Sequence, residues 1–238
     1  MVLGFESLTR SNTKHMKSVD VNKLKFAIIA VDTALFRVAN GKLQVLLGEV
    51  TNPHFRNKKG LVGGVVRPNE TAESAVRRHL YNKAGISKKI FIEQVCVFSK
   101  VERDPRGRVI AVAYLGLVHE DPRVKNKLSK IIWVPIKDAR NLAYDHDEIL
   151  KVAIERLRAK LGYTNIAQHL LPKQFTLTNL QSVYETILGR AIDKRNFRRK
   201  MLNVSLITKA GGKSRKGSKK PAQLFRFISS AQKIVDIL

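Results

Sequence analysis

Cysteine is almost absent from this sequence. Cys96 stands alone in the apolar run QVCVF, so an intramolecular disulfide is excluded and a reducing compartment is the default. Acidic residues are scarce as well, 19 against 45 lysines and arginines, which leaves a formal charge of +26 on 238 residues. That imbalance works against basic partners and points to a polyanion. No stretch approaches the roughly eighteen consecutive apolar residues of a membrane span, and the N-terminal segment lacks the apolar core of a signal peptide. No basic amphipathic helix carries an aromatic anchoring face, so nucleic acid ranks ahead of a membrane surface. These absences predict a soluble, cytoplasmic chain without membrane contact.

Hydrophobic residues make up 44% of the chain, enough to fill a core, and the length suits one large domain or two ordinary ones. Residues 1–24 are basic and aperiodic, with Arg10, Lys14, Lys17 and Lys23, and read as a flexible arm. Residues 26–36 and 43–50 are strand-like runs joined through Asn40-Gly41, a strong hairpin signal. Further strands are expected over 61–66, 90–100, 109–118 and 131–134, the last holding the only tryptophan, Trp133. Residues 109–118 (VIAVAYLGLV) are almost unbroken in hydrophobicity, which predicts a central strand covered on both faces. A closing helix follows Asp145, which stands at capping-box spacing from Glu148. Leu150, Ala153, Ile154, Leu157 and Leu161 form its apolar stripe. His146 and Asp147 at its start admit a ligand or catalytic role, for which helix capping is the simpler account.

The chain is organised around residues 63–86, GGVVRPNETAESAVRRHLYNKAGI. Gly63 and Gly64 end a strand, 67–71 form a polar loop, and 72–84 read as a helix with Ala72, Ala75, Val76 and Leu80 inward. Gly85 supplies its left-handed stop. Gly64, Glu70, Arg78, Leu80, Gly85 and Ile86 fall without a gap on the pattern of the Nudix box, which this stretch resembles. The three glutamates that hold divalent cations in that family are replaced by His79, Asn82 and Lys83, which share one helical face. Their loss removes Lewis-acid and nucleophile-generating roles, each worth about several kcal/mol of barrier. The resemblance implies an α/β/α sandwich with a mixed sheet over 25–161, without catalytic residues, metal or cofactor. Gly63, Gly64, Arg67, His79, Asn82 and Lys83 are the candidate ligand contacts, with Lys83 as a fixed ammonium where the family places a metal. Glu70 and Arg78 are expected to pair and hold the loop.

Residues 162–175 read as a packed connector, because Tyr163, Ile166, Leu170, Leu171 and Pro172 do not suit a free linker. Beyond it, Thr178 is placed to cap a helix reaching about Leu188, with Leu180, Val183, Tyr184 and Ile187 inward and Gly189 at its end. Asp193 caps a second helix, which completes a helix-turn-helix pattern. Ile192 and Phe197 have hydrophobic-staple spacing and Met201 follows one turn later. Lys194, Arg195, Asn196, Arg198, Arg199 and Lys200 are left on the outer and flanking surfaces. Two short strands, 206–209 and 224–228, flank a flexible tip carrying Lys213, Arg215 and Lys216, which makes 176–238 a winged helix. Thirteen lysines and arginines stand against one acid, Asp193, between 189 and 226, so the charge sits on the element suited to a major groove. Arg195 and Asn196 suit guanine and adenine edges, and the tip lysines suit phosphates.

The segments RDPRGRVIAVAYLGLV (103–118), LAYDHDEIL (142–150) and FTLTNLQSVYETILGRAIDKRNFRRKM (175–201) resemble Nudix-related transcriptional regulators of the NrtR type. Together with the box, the resemblance spans about residues 26–227. It implies a homodimeric DNA-binding protein, usually a repressor, whose degenerate Nudix domain senses a metabolite. That metabolite is ADP-ribose where NAD metabolism is controlled, and a sugar or sugar phosphate in related branches. The implied partners are a double-stranded operator, a small-molecule effector and a second copy of the chain. Two other readings compete: an active Nudix pyrophosphohydrolase recruiting metal through Glu102, Asp104 or Asp147, and an RNA-binding adaptor.

Overall fold

The computed structural model describes residues 26–86, 90–119, 131–214, 221–235 and 237. The basic arm expected over 1–24 and the wing residues Arg215 and Lys216 lie outside them. β1 (Ile28–Ala39) is the strand about which the sheet assembles, and both of its faces are buried through its middle. One edge pairs in parallel with β5 (Val109–Leu117), from Ile28↔Val109 to Phe36↔Leu117. The other edge pairs antiparallel with β3 (Lys59–Val65) along its first half and with β2 (Lys42–Glu49) at its end. Asn40 (φ 51) and Gly41 (φ 67) close the β1–β2 hairpin in the left-handed pair that a type I′ turn requires. β4 (Phe91–Phe98) and β6 (Ile131–Pro135) form the edges, giving the mixed order β4-β5-β1-β3-β2-β6. β5 lies one strand in from an edge rather than at the centre, yet it is covered on both faces as its sequence predicts.

Each face of the sheet carries a helix. α1 (Ala72–Ala84) buries Ala75, Val76, Leu80 and Ala84 against Val31, Leu35, Leu46 and Val62. Thr71 caps it by accepting from the Ser74 amide at 3.1 Å, and Gly85 ends it at φ 66. α2 (His146–Tyr163) lies on the opposite face against β1, β4 and β5. The capping box expected of Asp145 and Glu148 does not form. Arg103 takes the Asp145 carboxylate, and Lys100 takes Glu148 at 2.6 Å, because a guanidinium or ammonium is a stronger partner than a backbone amide. Asp147 serves the approach to α2 instead, accepting from the Leu142 amide at 2.9 Å.

The connector is packed, with Ile166, Ala167, Leu170, Leu171 and Phe175 all buried. It leads into α3 (Leu177–Leu188), α4 (Lys194–Asn203), β7 (Ile207–Ser214) and β8 (Ala222–Phe227), a winged helix. Thr176, not Thr178, caps α3, because Asn179 at the third helical position completes a reciprocal box with Thr176. Asp193 caps α4 as expected, accepting from the Asn196 amide at 2.8 Å. β7 continues past Lys209 through the glycines to Ser214, with a register shift between Lys209 and Lys213, so part of the expected flexible tip is strand. α3 packs against both α2 and β2. The apolar core on the α2 face therefore runs without interruption from Phe36 and Leu115 through Leu157 and Leu161 to Leu180, Tyr184, Phe197 and Met201.

Leu161→Ala is expected to cost about 2–5 kcal/mol, since the side chain is fully buried in this shared core. Trp133 fluorescence and far-UV circular dichroism should then report one displaced denaturation transition; two separated transitions would contradict a common core.

Candidate functional site

The loop after β3 is built by side chains that hold backbone carbonyls. Arg78 donates from Nε to Glu70 Oε2 at 2.9 Å, makes a second, shorter contact to Oε1, and donates from Nη2 to the Val65 carbonyl at 3.0 Å. Glu70 also accepts from the Arg67 amide at 2.8 Å. The Arg78 hydrogen bond holds the Glu70 carboxyl at about 2, below its ordinary range. The expected Glu70–Arg78 pairing is thus present, and it occupies the one acid that the box retains.

The substituted face of α1 makes a second set of pins. Lys83 Nζ donates to the Gly63 carbonyl at 2.7 Å, and His79 Nε2 donates to the Val65 carbonyl at 3.1 Å. Desolvation lowers the pKa of both side chains; the Asp32 carboxylate behind Gly63 pulls Lys83 back toward its charged form. Gly64 has φ 151 and lies beneath the His79 ring, whose Cε1 would be 2.6 Å from an added Cβ. At Gly63 an added Cβ would come within 2.0 Å of the Val31 carbonyl oxygen. Neither position accepts a side chain. Of the six candidate ligand contacts, Gly63, Gly64, His79 and Lys83 are thus brought together. Arg67 joins them through its amide, with an exposed side chain, and Asn82 is exposed on the next turn of the same helix.

Behind Gly63 lies a buried charge cluster of which the sequence reading singles out Asp145 and His146 but neither Asp32 nor Arg103. Arg103 Nη2 donates to Asp32 Oδ2 at 3.0 Å and to Asp145 Oδ1 at 2.6 Å, and its Nε donates to Asp145 Oδ2 at 2.9 Å. His146 accepts from the Leu61 amide at Nδ1 (3.0 Å), so its Nε2 carries the proton that faces Asp32 Oδ1 at 3.4 Å. Burial alone would raise the Asp32 pKa, but His146 and Arg103 more than offset it and the net direction is down. The available signal was an aspartate in the middle of the apolar run IIAVDTALF. Asp104 is buried against Arg106 at 2.7 Å. Among the described residues no group of three or more His, Cys, Asp or Glu is arranged to hold a metal ion.

On α4, Phe197 and Met201 are buried and turn Lys194, Arg195, Asn196 and Arg199 outward. Arg198 is half-buried and donates to Thr178 Oγ1 at 3.3 Å, so it braces α4 against α3. Arg199 Nη2 donates to Asn196 Oδ1 at 2.9 Å. Lys200 is half-buried, and Lys213 lies near the far end of β7.

A Nudix-type sandwich with a cation-bearing box helix, joined through one core to a winged helix, defines a class of DNA-binding proteins built on a Nudix domain. Comparison with known proteins matches residues 29–157 to the NUDIX domain and 167–227 to the NrtR DNA-binding winged helix domain. The ADPR-responsive transcriptional repressor NtrR of Acinetobacter baylyi is 35% identical over 208 residues, covering 84% of this chain and 82% of that protein. The crystal structure of Shewanella oneidensis NrtR complexed with a 27mer DNA aligns with a TM-score of 0.76 and 32% identity, over 84% of this chain and 93% of that one. The NUDIX domain of the same Shewanella protein complexed with ADP ribose aligns with a TM-score of 0.53 and 28% identity, over 62% and 99%. The chain belongs to the family of NrtR-type regulators, in which a Nudix domain precedes a winged-helix DNA-binding domain.

Replacing Arg103 with Met would leave the Asp32 and Asp145 carboxylates without their cation, at a cost of about 3–5 kcal/mol. Because the folded pKa of Asp32 lies below its unfolded value, its contribution is present above about pH 4 and is lost as pH falls through the folded value. Removing Arg103 raises that folded value. Thermal melts across pH 3–7 should therefore show a variant that is less stable than the wild type at neutral pH and loses less further stability toward acid; an acid-dependent loss equal to that of the wild type would contradict the pairing.

Proposed function

We propose that this chain is a cytoplasmic, homodimeric transcriptional repressor that binds operator DNA and senses ADP-ribose, and that it controls genes of NAD metabolism. The observation that carries the effector half is the contact between the Lys83 ammonium and the Gly63 carbonyl. It sets an ammonium at the glycine end of the box strand, on the helical face where the family's hydrolases carry cation-binding carboxylates. A pyrophosphate approaching Gly63, Gly64 and Arg67 meets that charge directly, with His79 and Asn82 on the same helical side. Binding then needs no divalent cation, and hydrolysis lacks the carboxylate-held metal that would activate water. The chain is accordingly read as a sensor and not as an enzyme.

The proposed division is a flexible arm over 1–24, an effector and dimerisation domain over 25–161, a connector over 162–175 and a DNA-binding domain over 176–238. In the last, Arg195 and Asn196 read base edges. Lys194, Arg199 and Lys200, with Lys213, Arg215 and Lys216 of the wing, meet phosphates, and Arg198 supports the helix that presents them. Release of DNA requires ADP-ribose to bind one arrangement of the domains better than the other. About 5 kcal/mol of differential affinity moves the population from mostly bound to mostly free.

Calorimetry with ADP-ribose in EDTA should give binding by the wild type and roughly tenfold weaker binding by Lys83→Ala, the scale of one charge-assisted hydrogen bond; equal affinities would contradict the counter-charge role. On operator DNA, Arg195→Ala should relax base preference by about 1–3 kcal/mol, whereas Lys216→Ala should mainly lower the salt slope by about one unit. An exchange of these two effects would reverse the assignment of reader and positioner.

A further inference from the structure

Beyond β8 the chain does not end at the wing. It turns back across the junction and attaches to the last turn of α2 and to the connector. The Val235 amide donates to the Tyr163 carbonyl at 2.8 Å, and the Ile237 amide donates to the Gly162 carbonyl at 2.8 Å. Ile237 is buried, and Gln232 Oε1 accepts from Lys160 Nζ at 3.5 Å. This strap, formed by the described residues 229–235 and 237, lies beyond the stretch 167–227 that matches the winged helix family.

One side chain holds the strap more than any other. Asn165 is 1% exposed at the start of the connector. Its Nδ2 donates to the Ala231 carbonyl at 2.9 Å, and its Oδ1 accepts from the Lys233 amide at 2.9 Å. Gln168 adds a donation to the Ser230 carbonyl at 3.4 Å. Thr164 beside it is fully buried and donates to the Lys160 carbonyl at 2.7 Å, which fixes the connector to α2. A buried amide that satisfies two strap backbone groups at once is a specific joint, since removing it leaves both groups without their partner.

Two lines of chain therefore cross between the sandwich and the winged helix, the connector outward and the strap back. A domain tethered at one point swivels and absorbs a displacement of its neighbour. Tethered at two, it follows the neighbour's frame. Arg158 adds a third tie, donating from Nε to the Ile187 carbonyl at the end of α3 at 2.9 Å.

We propose that Asn165 is a positioning residue, and that the strap it holds is what makes the winged helix follow the effector domain, so that effector binding alters DNA affinity. The inference rests on the ADP-ribose-responsive reading above. Without the joint, each domain keeps its own ligand, and the shared core alone transmits a weaker effect between them.

The test compares the full-length wild type with Asn165→Ala and with a chain ending at Ser229. ADP-ribose affinity is measured by calorimetry, and operator affinity by fluorescence anisotropy with and without saturating ADP-ribose. Both variants should bind ADP-ribose within about threefold of wild type, while the ADP-ribose effect on operator affinity falls at least about tenfold, within the usual range of coupling between sites. Retention of the full effect in both variants would overturn the proposal. So would a parallel loss of ADP-ribose binding, which would make the strap a support of the effector domain itself. A wild type that binds ADP-ribose and operator independently would overturn the responsive reading, and is told apart by showing no effect before any residue is changed.

Discussion

Everything in this molecule depends on the apolar stripe of α2, which is buried on two sides at once. Ile149, Leu150, Ala153, Leu157 and Leu161 cover the sheet, and the same cluster continues into α3, α4 and the wing strands. An 18-residue helix is about 27 Å long, enough to reach from the charge cluster behind Gly63 to the end of α3. Its N-terminal residue, His146, binds the amide of Leu61 in the box strand, and Arg158 near its other end binds the carbonyl of Ile187. One helix thus touches both the strand that leads into the proposed effector loop and the first helix of the winged-helix domain. A connector made of Gly and Ser would have left these as separate bodies.

The altered box acquires its meaning within that frame. Three carboxylates on α1 would repel one another and a pyrophosphate unless cations sat between them. His79 and Lys83 hold the Gly63 and Val65 carbonyls directly, so the loop is set without an ion. This geometry keeps the Lys83 ammonium beside two glycines that tolerate no side chain. In the proposed reading such a site recognises a charge and a shape, and lacks the carboxylate-held metal that would activate water.

Legibility from sequence followed how local each feature is. The α1 boundaries agree with the reading because Thr71 and Gly85 act within one turn of the helix ends. The β1–β2 turn agrees because Asn40 and Gly41 accept left-handed backbone on their own. Asp145 shows the limit. Its spacing from Glu148 is that of a capping box, but Arg103, distant in sequence, takes the carboxylate. Thr178 shows the same limit over a shorter distance, since Asn179 favours Thr176 as the cap and leaves Thr178 to accept from Arg198. The strap had no local signal at all: Asn165 meets Ala231 and Lys233 only once the chain has folded back.

In the function proposed, this Nudix domain registers a nucleotide sugar without consuming it. The most direct measurement follows one sample by two readouts: operator anisotropy, and chromatography of the nucleotide, after ADP-ribose and magnesium are added to the protein–DNA complex. The expected result is release of the operator while ADP-ribose stays intact over many times the release half-life. Steady accumulation of AMP and ribose 5-phosphate, or an operator complex indifferent to ADP-ribose, would contradict it.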